Sequence, residues 1–145
     1  MLKNILSVSG KPGLYRKIGE NARAIIVESL QDGKRTIVHA NARTNPLADI
    51  ALYATPQDVP LKTVFKRVFE RENGGATIAR DETDARVAEY MSEIVPEYDR
   101  QKVYLSDMKK VLQWYNILQE KGLLHFEEEE EERATKDQQE KAADE

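Results

Sequence analysis

The spacing of the apolar residues changes near Pro56, and this change limits the folds open to the chain. Before Pro56, short β-branched runs such as residues 24–27 and 36–38 are separated by glycine-containing turns, a pattern that favours β-strands. Within residues 61–69, apolar side chains recur at intervals of three and four, which is the spacing of one face of a helix. We therefore expect strands first and helices second.

The strand half has a layout typical of small β-barrels. Asp32-Gly33 predicts a tight hairpin turn, because glycine adopts positive φ freely and aspartate tolerates it. Residues 47–49 are expected to form one helical turn, and residues 43–46 a loop. The order and lengths of five expected short strands predict an SH3-like β-barrel, with a curved, open antiparallel sheet as the alternative. These strands are residues 3–9, 14–18, 22–29, 34–40 and 50–53.

Three helices are expected after Pro56, each with a start and a stop signal. Asp58 is predicted to cap the first, which ends at Gly74-Gly75. Asp81 is predicted to cap the second, over residues 82–95. Ser106 is predicted to cap the third, over residues 107–121. The fold class is therefore α+β.

The last twenty residues differ in composition from the rest. Residues 127–132 are six consecutive glutamates, which repel one another and offer no apolar surface to bury, so residues 126–145 are expected to form a disordered acidic tail. The predicted organisation is a β-barrel-like domain over residues 1–56, a helical domain over 57–125, and this tail.

The sequence offers little for catalysis or for a cofactor. The chain has no cysteine, which excludes disulfides, thiolate zinc sites and cysteine nucleophiles. His39 and His125 are its only histidines, and neither has a second ligand at a metal-binding spacing. Glu82, Asp84 and Glu89 lie near a helix start, where acids stabilise the dipole. We therefore expect a protein that is not an enzyme and that holds no metal or cofactor.

The N-terminus indicates a cytoplasmic location. Residues 1–6 are too short and too polar for a signal peptide. A membrane span needs about 20 apolar residues, and the longest uninterrupted runs, such as residues 24–27, have only a few. No membrane partner is expected, and the oligomeric state is left open.

The charge is unevenly distributed, and this asymmetry suggests a nucleic-acid partner. Residues 1–57 carry a net charge of +4, whereas residues 126–145 carry −7. We hypothesise a weak RNA- or DNA-binding surface on the basic β head, for which the acidic tail competes. Solvated surface charge is the simpler alternative, because +4 is a small footprint. The candidate residues are Lys11, Tyr15, Arg16, Lys17, Arg23, Lys34 and Arg35.

Trp114 supports a second hypothesis, a protein-interaction adaptor that uses the helical segment. Tyr115 lies on the apolar stripe of the third helix, and Trp114 lies about 100° away from it. Core packing is the simpler interpretation of Trp114. If it is exposed, it would mark a partner groove, because exposed aromatic residues anchor interfaces.

Two segments resemble a family of small bacterial proteins known only as a domain of unknown function. Residues 5–15, with the sequence ILSVSGKPGLY, and residues 26–35 carry the resemblance in the strand half. Residues 59–62 and Trp114-Tyr115-Asn116 resemble the helical part, and the acidic tail is similar in kind. The resemblance covers most of residues 1–125. It implies a bacterial cytoplasmic protein and brings no activity, ligand or catalytic residue.

Overall fold

A computed structural model of the chain describes residue 2 and residues 4–39, 43–78 and 82–126. Its main feature is an antiparallel sheet with the strand order β4-β3-β2-β1-β5, so β4 and β5 form the two edges. The α+β class is confirmed. The closed barrel is wrong, and the open sheet given as the alternative is correct. The strands are β1 Ile5–Val8, β2 Lys11–Glu20, β3 Ala24–Ser29, β4 Arg35–His39 and β5 Thr44–Pro46.

The fifth strand of this sheet comes from a segment that was expected to be a loop. Thr44–Pro46 pairs with β1, and the predicted helical turn follows it at Leu47–Asp49. The strand expected at residues 50–53 is shorter and forms a separate two-stranded sheet. The remaining elements are β6 Ala51–Leu52, β7 Val59–Pro60, α1 Leu61–Arg71, α2 Asp84–Ile94 and α3 Leu105–Glu120.

The short connection between the edge strands forces the sheet to curl. His39 pairs with Ala24 at one end of β3, whereas the carbonyl of Arg43 accepts a hydrogen bond from the N–H of Ser9 beside the start of β2. The three residues between His39 and Arg43 allow at most about 14 Å, because an extended chain advances about 3.6 Å per residue. In a flat sheet the two edges alone would stand about 19 Å apart. Register shifts on both sides of β2 accommodate the bend.

The two faces of the sheet bury different apolar clusters, because neighbouring residues of a strand point to opposite sides. Leu6 and Tyr15 face a small cluster with Val27 and Val38, on the side away from the helices. The other face contributes Ile5 and Leu14 to the main core, and helices α1, α2 and α3 supply most of its other side chains. The strand half and the helical half therefore bury their apolar side chains in one common cluster.

Hydrogen bonds fix the segment after α1 against α3. The Tyr115 hydroxyl donates to the carbonyl oxygen of Gly75 at 2.7 Å, and the Asn116 side chain accepts from the N–H of Thr77 at 2.8 Å. Burial raises the pKa of Tyr115 to about 12, so this hydroxyl remains a donor even at a pH where an exposed tyrosine, with a pKa of 10, is half ionised. The contacts set the position of α3, which matters for the site described below.

The start of α1 differs from its prediction. Asp58 does not cap the helix, because Val59–Pro60 pairs with β6 and the helix begins only at Leu61. The Asp58 carboxylate instead accepts from the N–H of Ala54 at 3.2 Å.

The caps of α2 and α3 also differ. The Thr83 hydroxyl accepts from the N–H of Arg86 and caps α2, whereas Asp81 lies outside the described residues. In α3 the Asp107 carboxylate accepts from the N–H of Tyr104 at 3.0 Å, and Ser106 is an exposed residue inside the first turn. The prediction for Ser106 is therefore wrong.

We expect Asp107→Ala to lower the free energy of unfolding by about 0.5 to 1 kcal/mol, because it removes the acceptor for the Tyr104 N–H and a negative charge from the first turn of α3. Ser106→Ala is the matched control and should change little. Urea denaturation followed by circular dichroism measures both. An equal loss for the two variants would contradict the capping geometry.

The β3–β4 turn is wider than the two-residue turn predicted. Ser29 donates its N–H to the carbonyl of Lys34 at 2.9 Å, which closes a four-residue loop. Within this loop only Gly33 has a positive φ, of 74°. The Asp32 carboxylate accepts from the N–H of Lys34, and this hydrogen bond lowers the pKa of Asp32.

Gly33→Val should destabilise the protein by about 1 to 2 kcal/mol, because a β-branched residue is strained at positive φ. Gly19→Val is the control, since a Cβ at Gly19 meets nothing within 4 Å and its φ lies outside the left-handed region. Thermal denaturation compares the two. A melting temperature that falls as much for Gly19→Val as for Gly33→Val would show that the φ of Gly33 is not the cause.

Candidate functional site

A groove of about 520 Å³ lies between the β1–β2 turn and the first half of α3. The turn is short, because Val8 pairs with Lys11 and Gly10 adopts a positive φ. Lys11 therefore lies at the lip of the groove. On the opposite wall the helical spacing brings Lys110, Gln113 and Trp114 to one face of α3. Ser7 and Ser9 lie at its strand side.

Trp114 joins this groove to a smaller, more apolar pocket. Its half-buried side chain packs against the main core and lines both cavities. The second pocket, of about 160 Å³, includes Tyr53, which is 53% exposed. The ammonium of Lys102 lies 5.4 Å from the centre of the Tyr53 ring. Two aromatic side chains therefore lie along one continuous depression.

The groove has a positive balance of charge. Among the described residues, no ion pair involves Lys11 or Lys110. Lys109 differs, because its ammonium contacts the Asp84 carboxylate at 2.7 Å. The one acid in the lining, Asp107, is occupied as the acceptor for the start of α3.

The structure separates the seven predicted residues of the basic head. Lys11 is the member that lines the groove. Tyr15 is partly buried against the small cluster, and Lys17 contacts Glu20 at 2.9 Å. Arg23 and Lys34 lie in turns at opposite ends of β3. These residues therefore do not form one continuous surface.

The remaining two predicted residues, Arg16 and Arg35, lie on the other face of the sheet with Glu28. Arg35 forms an ion pair with Glu28 at 3.3 Å. Arg16 lines a separate pocket that also contains Glu28, Asp32 and Lys121. The charges of this pocket are mixed, so it lacks the positive balance of the groove.

Several groove residues were not predicted. Lys110 and Gln113 share a helix face with Trp114, and this spacing was the available signal in the sequence. Tyr53 carries no comparable local signal. It reaches the depression only because the strand half packs on α3.

A row of isoleucines forms a second exposed surface, at the β4 edge. Ile26 pairs directly with Ile37 across β3 and β4, and Ile18 lies in the bulge beside them. Their exposed fractions are 38% for Ile26, 72% for Ile37 and 41% for Ile18. Exposed apolar side chains that adjoin one another are typical of protein contacts.

Two further properties concern the part of the chain that the structure describes. Within residues 4–39, 43–78 and 82–126, no three histidine, aspartate or glutamate side chains come together in a way that suits a metal ion. The helices of this part are too short or too polar to cross a membrane.

The chain is similar to proteins with two domains of unknown function. Residues 2–47 match the family model DUF5606, and residues 50–118 match DUF6852. A solution NMR structure of a Bacteroides vulgatus protein is 39% identical, covers 87% of this chain and 91% of its own, and superposes with a TM-score of 0.72. No curated protein matches the chain. The resemblance inferred from the sequence is confirmed, and the chain belongs to the bacterial family that contains the Bacteroides vulgatus protein.

Proposed function

We propose that this protein is a non-enzymatic binding module that holds a single strand of RNA or DNA in the groove between the β1–β2 turn and α3. The observation that carries the proposal is the placement of Lys11 and Lys110 on opposite walls beside Trp114. Cations that follow a backbone beside aromatic side chains are the usual elements of sequence-tolerant single-strand binding.

Each wall of the groove has a distinct role in this proposal. Lys11 and Lys110 neutralise phosphates, since neither is engaged with an acid among the described residues. Tyr53, which is exposed, offers a ring face on which a base can stack, and the half-buried Trp114 forms the floor between the two cavities. The Ser7 and Ser9 hydroxyls can form hydrogen bonds with sugar or phosphate oxygens.

A single strand suits the groove better than a duplex. Stacking on Tyr53 or Trp114 requires bases that are not already stacked in a helix. The number of unpaired cations is also small, so the electrostatic contribution is modest and the affinity is expected to be weak at physiological salt.

The test is a titration of labelled single-stranded RNA and DNA at two salt concentrations. Replacing Lys11 and Lys110 together with glutamine should weaken binding. It should also reduce the magnitude of the negative slope of log K against log salt by about 0.7 for each lost phosphate contact. Tyr53→Ala should weaken binding about tenfold, because stacking contributes about 1 to 3 kcal/mol per base. Tyr53 is exposed, so its replacement should leave the melting temperature nearly unchanged.

The control removes the same number of positive charges from another part of the surface. Arg23→Gln with Lys34→Gln removes two cations from turns at the two ends of β3 that do not line the groove, and should leave the affinity nearly unchanged. Equal losses for the two double variants would indicate non-specific charge attraction rather than a groove.

The second candidate is a protein-interaction adaptor. The sequence suggested the helical segment with Trp114 as its surface, whereas the exposed row of Ile18, Ile26 and Ile37 on the sheet now favours it. If neither RNA nor DNA binds at low salt, even after the acidic tail is neutralised, the nucleic-acid function fails and the adaptor takes its place. The cytoplasmic location inferred from the sequence remains a prediction under both functions.

A further inference from the structure

We propose that the glutamate segment, residues 127–132, docks in the groove between the β1–β2 turn and α3 and competes there with other anions. The proposal rests on the proposed function only where it names a nucleic acid as the competitor. The docking itself depends on charge and on the tether that joins the segment to Phe126.

The charges of the segment and of the groove are complementary. The segment has six adjacent carboxylates, and the groove presents Lys11 and Lys110, which no acid engages among the described residues. The carboxylate of Asp107 is the only acid in the lining, and it accepts a backbone N–H. A polyanion therefore meets little repulsion inside the groove.

Other cationic surfaces are less suitable for the segment. On the helices, Arg67 pairs with Glu97 and Arg71 pairs with Glu93. The pairing with Arg67 lowers the pKa of Glu97, as expected for a carboxylate held in its charged form. The pocket of Arg16 and Lys121 contains Glu28 and Asp32, which would repel glutamates.

The residue that precedes the glutamate segment has a fixed position. Phe126 is buried, and its ring packs against Phe69 with 5.4 Å between the ring centroids. The segment is therefore tethered to the folded part of the chain at Phe126, and its six residues span at most about 20 Å from that point. Because it is tethered, it acts at a high effective concentration without tight contacts.

The chain lends itself to a direct test, because it has no cysteine and Trp114 is its only tryptophan. Arg133→Cys places a nitroxide spin label immediately after the six glutamates in the full-length protein. We expect strong paramagnetic broadening of the Trp114 indole N–H signal and of the backbone amides of Gly10 and Lys110. Raising the salt from about 0.1 M to about 1 M shortens the Debye length from about 10 Å to about 3 Å and should reduce this broadening severalfold.

Matched variants locate the contact. Lys11→Gln with Lys110→Gln should reduce the broadening of the Trp114 indole severalfold, whereas Arg23→Gln with Lys34→Gln should leave it unchanged. Broadening that spreads evenly over the surface, that centres on Arg16 and Lys121, or that is absent overturns the proposal.

A second measurement separates this proposal from the proposed function, since the spin-label experiment contains no nucleic acid. Replacing residues 127–132 with glutamine in the full-length chain should raise the affinity for single-stranded oligonucleotides severalfold, and more at low salt than at high salt. If neither the native protein nor the glutamine variant binds an oligonucleotide, the proposed function fails. The broadening pattern alone then shows whether the segment docks in the groove.

Discussion

The groove depends on the burial of Leu14 and Leu47, two fully buried residues of the strand half, in the same cluster as the helices. Their burial holds β2 against α3. The apolar face of α3 packs in this core. The neighbouring face of the helix, with Lys110 and Trp114, therefore lies opposite the β1–β2 turn. Each fully buried leucine contributes about 1.5 to 3 kcal/mol, far more than any exposed charge pair. Apolar packing, rather than charge, therefore positions the charged residues.

The curl of the sheet explains why the basic head is not one surface. Neighbouring residues of a strand point to opposite faces, so Arg16 and Lys17 lie on different sides of the sheet. The face of the sheet that carries Lys17 also carries the apolar cluster with Val27 and Val38, which leaves no continuous site for cations there. Of the predicted basic residues, Lys11 alone lines the groove beside α3, and the positive groove forms where unpaired cations of separate elements meet.

Much of the fold could be predicted because it depends on local pattern. The change of period at Pro56 and the stripe of α1 both follow from residues close in sequence. The strand Thr44–Pro46 could not be predicted, because it is short, ends in proline and is defined by its partner β1. Barrel closure and the cap of α1 depend on contacts between distant segments. Lys11 and Trp114 were identified singly, but tertiary packing brings them together.

The central claim is that the sheet and the helices fold as one unit, because the groove exists only while they are packed together. Urea unfolding followed residue by residue in NMR spectra tests this claim most directly. The amides of Leu14 and Val27 in the sheet should lose their native signals at the same urea concentration as those of Leu112 and Tyr115 in α3. Separate midpoints, with native α3 signals persisting after the sheet has unfolded, would contradict the account.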